Sequence, residues 1–144
     1  MNTSNNPGFQ DFHLAGVKHI SPNDAHDLII NDEAVLIDVR TEEEIVYENV
    51  PLDHVLYHPM EKIVDRLDHI AKDQNIILAC PGGIRSTKVA NLLNINGYPR
   101  VANLDGGFNT WKAKGLPWQI KVNSCDSCGC GCSSSNSGNE DSCC

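Results

Sequence analysis

Short apolar runs and amphipathic segments alternate along most of this chain. The runs VLIDV, NIILA and VANL, which start at Val35, Asn75 and Val101, have the length and composition of buried strands. NIILA is apolar on successive residues, which is typical of a strand covered on both faces. HVLYHP, closed by Pro59, predicts a further short strand.

Capping sequences mark the start of two helices. In SPND, Ser21 is suited to the N-cap, Pro22 to the first helical position, and Asp24 to the return bond of a capping box. In TEEE, Thr41 and Glu44 form the same pattern.

Three further helices are predicted by apolar residues at helical spacing. The first carries Met60, Ile63, Val64, Leu67 and Ile70. The second carries Val89, Leu92 and Leu93 and ends near Gly97. The third is GFNTWKAKG, closed by Gly115. Strands that alternate with helices over short links indicate an α/β fold, a doubly wound central parallel sheet of about five strands with helices on both faces.

The same pattern divides the chain into three parts. Residues 1–12 are polar and carry little pattern, so we expect a flexible lead-in there. Residues 13–121 carry the strands and helices of one domain. From residue 123 onward the chain holds only Asn, Ser, Cys, Asp, Gly and Glu, which cannot build a core. Residues 122–144 are therefore expected to be a disordered tail.

Composition narrows the classes of function. A chain of 144 residues is long enough for one domain with a core of its own. The net charge of −8 argues against nucleic acid and anionic membrane surfaces as partners. The opening MNTSNNPGFQDF has no basic segment followed by an apolar run, and no apolar stretch reaches membrane-spanning length. We therefore expect a soluble, cytoplasmic protein.

The seven cysteines are unevenly placed, which argues against a fold stapled by disulfides. Cys80 stands alone in the domain. The remaining cysteines are Cys125, Cys128, Cys130, Cys132, Cys143 and Cys144. Three interpretations of this tail stay open: thiols without a fixed ligand, a thiolate site for zinc, copper(I) or an iron–sulfur cluster, and a segment that accepts sulfur from the domain. The domain is expected to work without it.

The stretch CPGGIRS, residues 80–86, carries the candidate chemistry. Cys80 falls at the carboxyl end of a predicted central strand, where ligands bind in open α/β sheets. Gly82 and Gly83 let successive N–H groups converge, and the helix start that follows adds its own free N–H groups. A thiol above these groups and beside Arg85 is expected to lose its proton more easily than a free thiol and to act as a nucleophile. The alternative, a small buried side chain that only packs, is disfavoured by this neighbourhood.

At three places in order, the sequence resembles the rhodanese family of sulfurtransferases. CPGGIRS matches the family pattern C-x-x-G-x-R-S/T, and IDVR at residues 37–40 matches its early element. The stretch from Leu104 to Trp111, followed by GLP at residues 115–117, matches its late element. The resemblance covers about residues 18–120.

The resemblance implies a single-domain sulfurtransferase that needs no cofactor or metal. Cys80 would take sulfur from a small anionic donor such as thiosulfate, or from a persulfide. It would carry that sulfur as a persulfide to cyanide, a thiol or a protein acceptor. The loop residues expected to cradle the sulfur are Pro81, Gly82, Gly83, Ile84 and Ser86, and Arg85 would hold an anionic donor. The alternative is a non-catalytic rhodanese-like module whose tail binds metal or carries sulfur.

Two details of the loop bear on the choice of chemistry. The spacing from Cys80 to Arg85 is C-x4-R, one residue shorter than the C-x5-R loop of related phosphatases, which suits one sulfur atom better than a phosphoryl group. Pro81 gives no N–H to the loop, and Arg85 is its only basic residue. Together with the negative net charge, these features predict that thiosulfate is a poorer donor than a persulfide.

Other polar and aromatic residues have weaker claims to the site. Asp38 and Arg40 are interpreted as a structural pair near the carboxyl edge of the sheet. A role for Arg40 in guiding the sulfur donor stays open as the alternative. The residues assigned no role beyond packing or solvation are His54, His58, Trp111 and Trp118.

Overall fold

The structure, a computed structural model, describes residues 1–121, and the predicted tail with its cysteines lies outside the described residues. The strands are β1 (Lys18–Ile20), β2 (Val35–Asp38), β3 (Glu48–Asn49), β4 (Val55–Tyr57), β5 (Ile76–Ala79), β6 (Val101–Leu104) and β7 (Gln119–Ile120). The α-helices are α1 (Pro22–Ile30), α2 (Glu42–Tyr47), α3 (Ile84–Ile95) and α4 (Gly107–Ala113), and a 3₁₀ helix spans Ile63–His69.

Five of the strands form one parallel sheet in the order β1-β6-β5-β2-β4. β5 lies in the centre of this sheet, and all four of its residues are buried. The predicted α/β fold with a five-stranded parallel sheet is confirmed. Because the strands are parallel, the loops that follow β2, β4, β5 and β6 meet at one edge of the sheet, the edge that binds ligands in folds of this class.

Helices cover both faces of the sheet. On one face α1 and α4 pack over an apolar cluster that includes Ile29, Leu36 and Trp111. On the other face α3 and the 3₁₀ helix pack over a second cluster, which includes Leu78 and Cys80. Burial of these side chains is the main source of stability for the domain. Within residues 1–121, no helix combines the length and the apolar composition required to cross a membrane.

The two predicted caps form at the predicted residues. The hydroxyl of Ser21 accepts a bond from the N–H of Asp24 at 3.3 Å, and Thr41 and Glu44 make both bonds of a capping box. The carboxylate of Asp24 accepts a bond from the side chain of Asn2 at 3.1 Å instead of returning one to the cap. The first helix is therefore capped by half of the predicted box.

The amphipathic segment before β5 differs from the prediction, since it forms a 3₁₀ helix where an α-helix was expected. The residue at its start, Lys62, makes no side-chain cap bond. The first N–H groups bond within the preceding turn instead, since Lys62 and Ile63 both donate to the carbonyl of Pro59 at 2.8 and 3.0 Å, and the tight 3₁₀ bonding continues from this turn. Ile63 is buried as predicted, but Val64 is 54 % exposed.

Three short strands were not predicted. β3 and β7 form a two-residue antiparallel ribbon, and β1 adds a parallel edge strand beside β6. Strands of two or three residues are too short to show a period of two in the sequence.

The N-terminal segment, predicted to be loose, is hydrogen-bonded to the domain. Ser4 forms an isolated antiparallel bridge with His19. The N–H groups of Gly8 and Phe9 donate to the carboxylate of Asp105, which directly follows β6, at 2.6 and 2.9 Å. These bonds hold the segment at the same edge of the sheet as Cys80.

Candidate active site

The sulfur of Cys80 lies where a capping side chain would lie at the start of α3. The N-cap residue, Gly83, has no side chain for that purpose. Sγ accepts the N–H of Gly83 at 3.1 Å and the N–H of Ser86 at 3.4 Å. These N–H groups at the first turn have no partner within the helix, and their dipoles point at the sulfur.

Cys80 is at the same time 1 % exposed and packed in an apolar cluster. Burial is what a packing role predicts, whereas two converging N–H groups are what a nucleophile needs. The amide geometry favours the nucleophile, because a purely packing thiol has no need of two donors aimed at its sulfur, and that role stays a prediction.

Two of the predicted cradle residues, Gly83 and Ser86, direct their amides at the sulfur. Gly82 and Ile84 are exposed, and Pro81 has no N–H to give. Their contact with a bound sulfur atom stays a prediction.

The turn at Gly83 depends on the absence of a side chain. Its φ of +89° lies in the left-handed region that favours glycine. A Cβ at this position would also overlap the side chain of Gln10, which reaches over the turn from the N-terminal segment.

The carbonyl groups of the same loop cap a second helix. The N–H of Phe108 donates to the carbonyl of Cys80 at 2.9 Å, and the N–H of Asn109 donates to the carbonyl of Pro81 at 2.9 Å. Gly107 lies so close to the loop that a Cβ would collide with both of these carbonyl oxygens. The loop is thus held between the amino ends of α3 and α4.

The guanidinium of Arg85 forms an ion pair with the carboxylate of Glu44. Its Nη1 and Nη2 donate to Oε1 and Oε2 of that carboxylate at 2.9 and 3.1 Å. The capping box holds the carboxylate in place, because Oε1 also accepts the N–H of Thr41 at 3.0 Å. The hydrogen bond from Arg85 lowers the pKa of Glu44 from 4.5 to about 2 against the opposing effect of burial, and the same bond raises the pKa of Arg85. Both groups are charged at neutral pH, and the carboxylate balances the charge of the guanidinium.

Asp38 and Arg40 form the structural pair that the sequence predicted. Nε and Nη2 of the arginine donate to the two carboxylate oxygens at 2.9 and 2.7 Å, and both side chains are buried. The guanidinium also donates to the carbonyl of Glu48 at 2.8 Å and lies 4.8 Å from the ring centroid of Phe108. These contacts hold the carboxyl end of α2 against α4. The guanidinium of Arg40 is therefore occupied by structural contacts.

The ion pair between Arg85 and Glu44 predicts a pH dependence of stability. The pKa of Glu44 is lowered in the folded chain. The ion pair therefore adds to the free energy of unfolding above about pH 4.5, and this addition is lost as the pH falls toward 2. Both side chains are 35 % exposed, and solvent screening limits this contribution to about 1 kcal/mol. Urea unfolding of the wild type and of Glu44→Gln at about pH 6 and pH 3 is expected to show a larger acid loss for the wild type. Equal losses in the two proteins would contradict this assignment.

The remaining candidates lie as the sequence suggested. His54 precedes β4 and pairs with the exposed carboxylate of Asp32 at 2.7 Å, at the amino end of the sheet. His58 follows β4, and burial lowers its pKa. Trp111 is fully buried in the core, and Trp118 packs its ring on that of Phe108.

A cavity of about 160 Å³ lies beside the loop. Pro81 and Glu44 line one part of it, and Tyr47 and Trp118 line another. A larger cavity of about 360 Å³ lies at the amino ends of β2 and β5, away from the loop. The smaller cavity is the one placed to receive a group that approaches the loop.

Sequence reasoning missed several residues that shape this site. Glu44 was assigned only as a capping residue, and its bond to Arg85 spans 41 positions. Gly107 was quoted as part of a motif without a physical role. The contact of Gln10 with Gly83 had no signal in the sequence, because the segment that carries Gln10 shows no pattern.

The arrangement suits a sulfur nucleophile. Two N–H dipoles converge on Sγ, and the buried setting excludes bulk water. In residues 1–121, no group of three or more His, Cys, Asp or Glu side chains is arranged to hold a metal ion.

Comparisons with known proteins agree with this chemistry. Residues 21–114 match the model of the rhodanese-like domain family. A protein named sulfurtransferase from Allochromatium vinosum is 37% identical over 86 residues, which are 60% of this chain and 78% of the relative. The thiosulfate sulfurtransferase GlpE of Actinobacillus pleuropneumoniae is 33% identical over 100 residues, 68% of this chain and 89% of the relative.

Solved structures show the same likeness. A rhodanese-like domain protein from Staphylococcus aureus has a TM-score of 0.61 and 30% identity, with 72% of this chain and 98% of that one covered. The rhodanese-like domain of a protein from Anabaena sp. has a TM-score of 0.65 at 22% identity, with 86% and 91% covered, and this second likeness speaks for the fold alone. The family model spans well over half of the sequence, and the chain therefore belongs to the rhodanese-like domain family.

Proposed function

We propose that this protein is a rhodanese-type sulfurtransferase that carries sulfur on Cys80 from a persulfide or thiosulfate donor to a thiol or cyanide acceptor. The observation that carries the proposal is the position of Sγ at the start of α3, where the N–H groups of Gly83 and Ser86 converge on it. Relatives named sulfurtransferases support the same reaction class.

In the first half of the proposed reaction, the thiolate of Cys80 attacks the outer sulfur of the donor. A new S–S bond forms on Cys80, and the S–S bond of the donor breaks. The electron pair leaves with sulfite or with the donor thiolate. The product is a persulfide on Cys80.

In the second half, an acceptor thiolate or cyanide attacks the outer sulfur of that persulfide. The S–S bond on Cys80 breaks, and Cys80 leaves as a thiolate. The amides of Gly83 and Ser86 stabilise this leaving charge as they did the attacking one.

The ion pair of Arg85 with Glu44 bears on the choice of donor. A dianion such as thiosulfate meets a guanidinium whose charge is already balanced by a carboxylate. Since the chain carries a net charge of −8 as well, a donor of lower charge approaches at smaller electrostatic cost. A persulfide is therefore the preferred donor class in this proposal.

Glu44→Gln is expected to lower the KM for thiosulfate about fivefold, since it leaves the charge of Arg85 unbalanced while one side-chain oxygen still meets the guanidinium. The KM for a donor without net charge, such as cysteamine persulfide, whose ammonium group balances its persulfide anion, is expected to change less than about twofold. Initial rates with both donors, measured at low and at high salt, check this result. A KM for thiosulfate that is unchanged, or that rises, contradicts the proposed role of the pair.

The proposed function is tested by loading the reduced full chain with thiosulfate or a low-molecular-weight persulfide and measuring its intact mass. One added sulfur atom per chain is expected, and peptide fragmentation is expected to place it on Cys80. Addition of cyanide is then expected to release it as thiocyanate. A chain that takes no sulfur from either donor, or takes it only on tail cysteines, overturns the proposal.

A further inference from the structure

Behind Cys80, buried polar side chains form a continuous series of hydrogen bonds. Ser86 Oγ lies 3.4 Å from Cys80 Sγ and is bonded to Asn103 Oδ1. Asn103 Nδ2 lies 3.0 Å from His19 Nδ1, and His19 Nε2 lies 2.8 Å from His13 Nδ1. Ser86, Asn103 and His19 are each at most 1 % exposed. Since buried polar groups are costly unless paired, this series is a specified part of the structure.

Gln10 fixes the direction in which these hydrogen bonds run. Its Oε1 accepts the N–H of Gly106 at 3.0 Å, and its Nε2 donates to the carbonyl of Phe12 at 2.7 Å. A backbone N–H can only donate and a backbone carbonyl can only accept, so the amide of Gln10 has one allowed orientation. Oε1 is therefore an acceptor, and Asn103 must offer it an N–H, as Nδ2 does at 2.9 Å.

The orientation of Asn103 in turn decides the role of Ser86. Because Nδ2 faces Gln10 and His19, Oδ1 faces the hydroxyl of Ser86. An amide oxygen only accepts, so the single hydroxyl proton of Ser86 is directed to Asn103. Toward Cys80, the hydroxyl oxygen has only lone pairs to offer.

The hydrogen bonds of His19 fit the same assignment of donors and acceptors. Its Nδ1 accepts the second N–H of Asn103, so the proton of the neutral ring lies on Nε2, which donates to His13. Burial and, next, the nearby His13 lower the pKa of His19, while Asp105 acts in the opposite direction. The neutral ring is the form that this series of bonds requires.

We propose that Gln10 and Asn103 are positioning residues that hold the Ser86 hydroxyl as an acceptor toward the sulfur of Cys80. The thiolate then receives bonds from the amides of Gly83 and Ser86 and none from this hydroxyl. A thiolate with fewer donors stays more basic, and a more basic thiolate is intrinsically the stronger nucleophile. This consequence for sulfur transfer rests on the proposed function, whereas the direction of the bonds does not.

Asn103→Leu tests the proposal, because it removes Oδ1 at nearly constant volume. The proton of Ser86 is then free to turn toward Sγ, 3.4 Å away. The thiolate titration of Cys80 is expected to move down by about one pH unit, which gives about tenfold more thiolate below both midpoints. Ultraviolet thiolate absorbance of the full chain follows the titration, and subtraction of the matching Cys80→Ser protein removes the signal of the tail cysteines.

The control is the same substitution in a Ser86→Ala background. With no hydroxyl proton to redirect, Asn103→Leu is expected to leave the titration where Ser86→Ala alone places it. Arg85, which interacts electrostatically with Cys80, and its ion-pair partner Glu44 are the same in all of these proteins. An equal shift in both backgrounds, an upward shift, or no shift overturns the proposal.

Gln10→Met provides a second variant in case the buried substitution prevents folding, because Gln10 lies outside the sheet. It removes the acceptor that orients Asn103, so that amide is free to turn over and donate to Ser86. A smaller downward shift is expected, and Ser86→Ala is expected to abolish it. An unchanged titration in this variant also counts against the proposal. Because the titration uses no sulfur donor, its outcome is separate from the success or failure of sulfur transfer.

Discussion

Cys80→Ser is expected to reduce thiocyanate formation from thiosulfate and cyanide by at least about a thousandfold, to the rate in buffer. A serine hydroxyl at this position meets the same amides of Gly83 and Ser86 but is not ionised near neutral pH, so it cannot attack the donor sulfur. It also has no sulfur on which to carry a persulfide. Initial rates and the intact mass after incubation with thiosulfate measure both losses.

The matched control is Cys128→Ser, which removes one thiol from the tail and leaves the loop untouched. Its rate is expected to stay within about twofold of the wild type. Retention of more than a few per cent of activity by Cys80→Ser, with sulfur found on tail cysteines, would show that the domain thiol is not the carrier.

Gly107→Ala is expected to have the second largest effect, because its Cβ would collide with the backbone of the loop that carries Cys80. The carbonyl oxygens of Cys80 and Pro81 cannot move aside without breaking their bonds to the first N–H groups of α4. With the left-handed φ of +65° added, the substitution is expected to cost about 3 kcal/mol of stability. The part of the variant that still folds is expected to lose activity tenfold or more, since the two amides no longer converge on the sulfur.

Gly115→Ala separates the collision from the backbone strain. Gly115 has a similar φ of +74°, but a Cβ there meets nothing within 4 Å. It is expected to cost about 1 kcal/mol and to leave the rate per folded molecule unchanged. Urea unfolding and initial rates of the two variants make the comparison. Similar losses in both would mean that φ alone, and not the contact with the loop, accounts for Gly107.

The site gains its geometry from two helix starts that share one loop. The sulfur of Cys80 serves as the acceptor for the first N–H groups of α3, while the carbonyl groups of Cys80 and Pro81 serve those of α4. Groups that would otherwise be unsatisfied at each helix start therefore fix the loop from both sides. A rigid loop of this kind keeps the amides aimed at the sulfur before a donor arrives.

Much of the fold was predictable because its signals are local. The run NIILA predicts a buried central strand from composition alone, and β5 is that strand. The box at Thr41 and Glu44 forms because both partners lie within one turn. The α-helix predicted around Ile63 was wrong in type, since apolar spacing of three to four residues does not distinguish an uncapped 3₁₀ helix from an α-helix.

The sequence by itself determined the parallel α/β architecture. It also determined that a cysteine, two glycines and an arginine follow the carboxyl end of the central strand. Only the tertiary structure decided that Arg85 binds Glu44, that Gly107 contacts the loop, and that Gln10 orients Asn103 across 93 positions. The physical reason is that periodicity and capping are set by neighbours within a turn or two. The charge balance and the direction of hydrogen bonds at the sulfur are set instead by groups that meet only when the sheet brings the ends of its strands together.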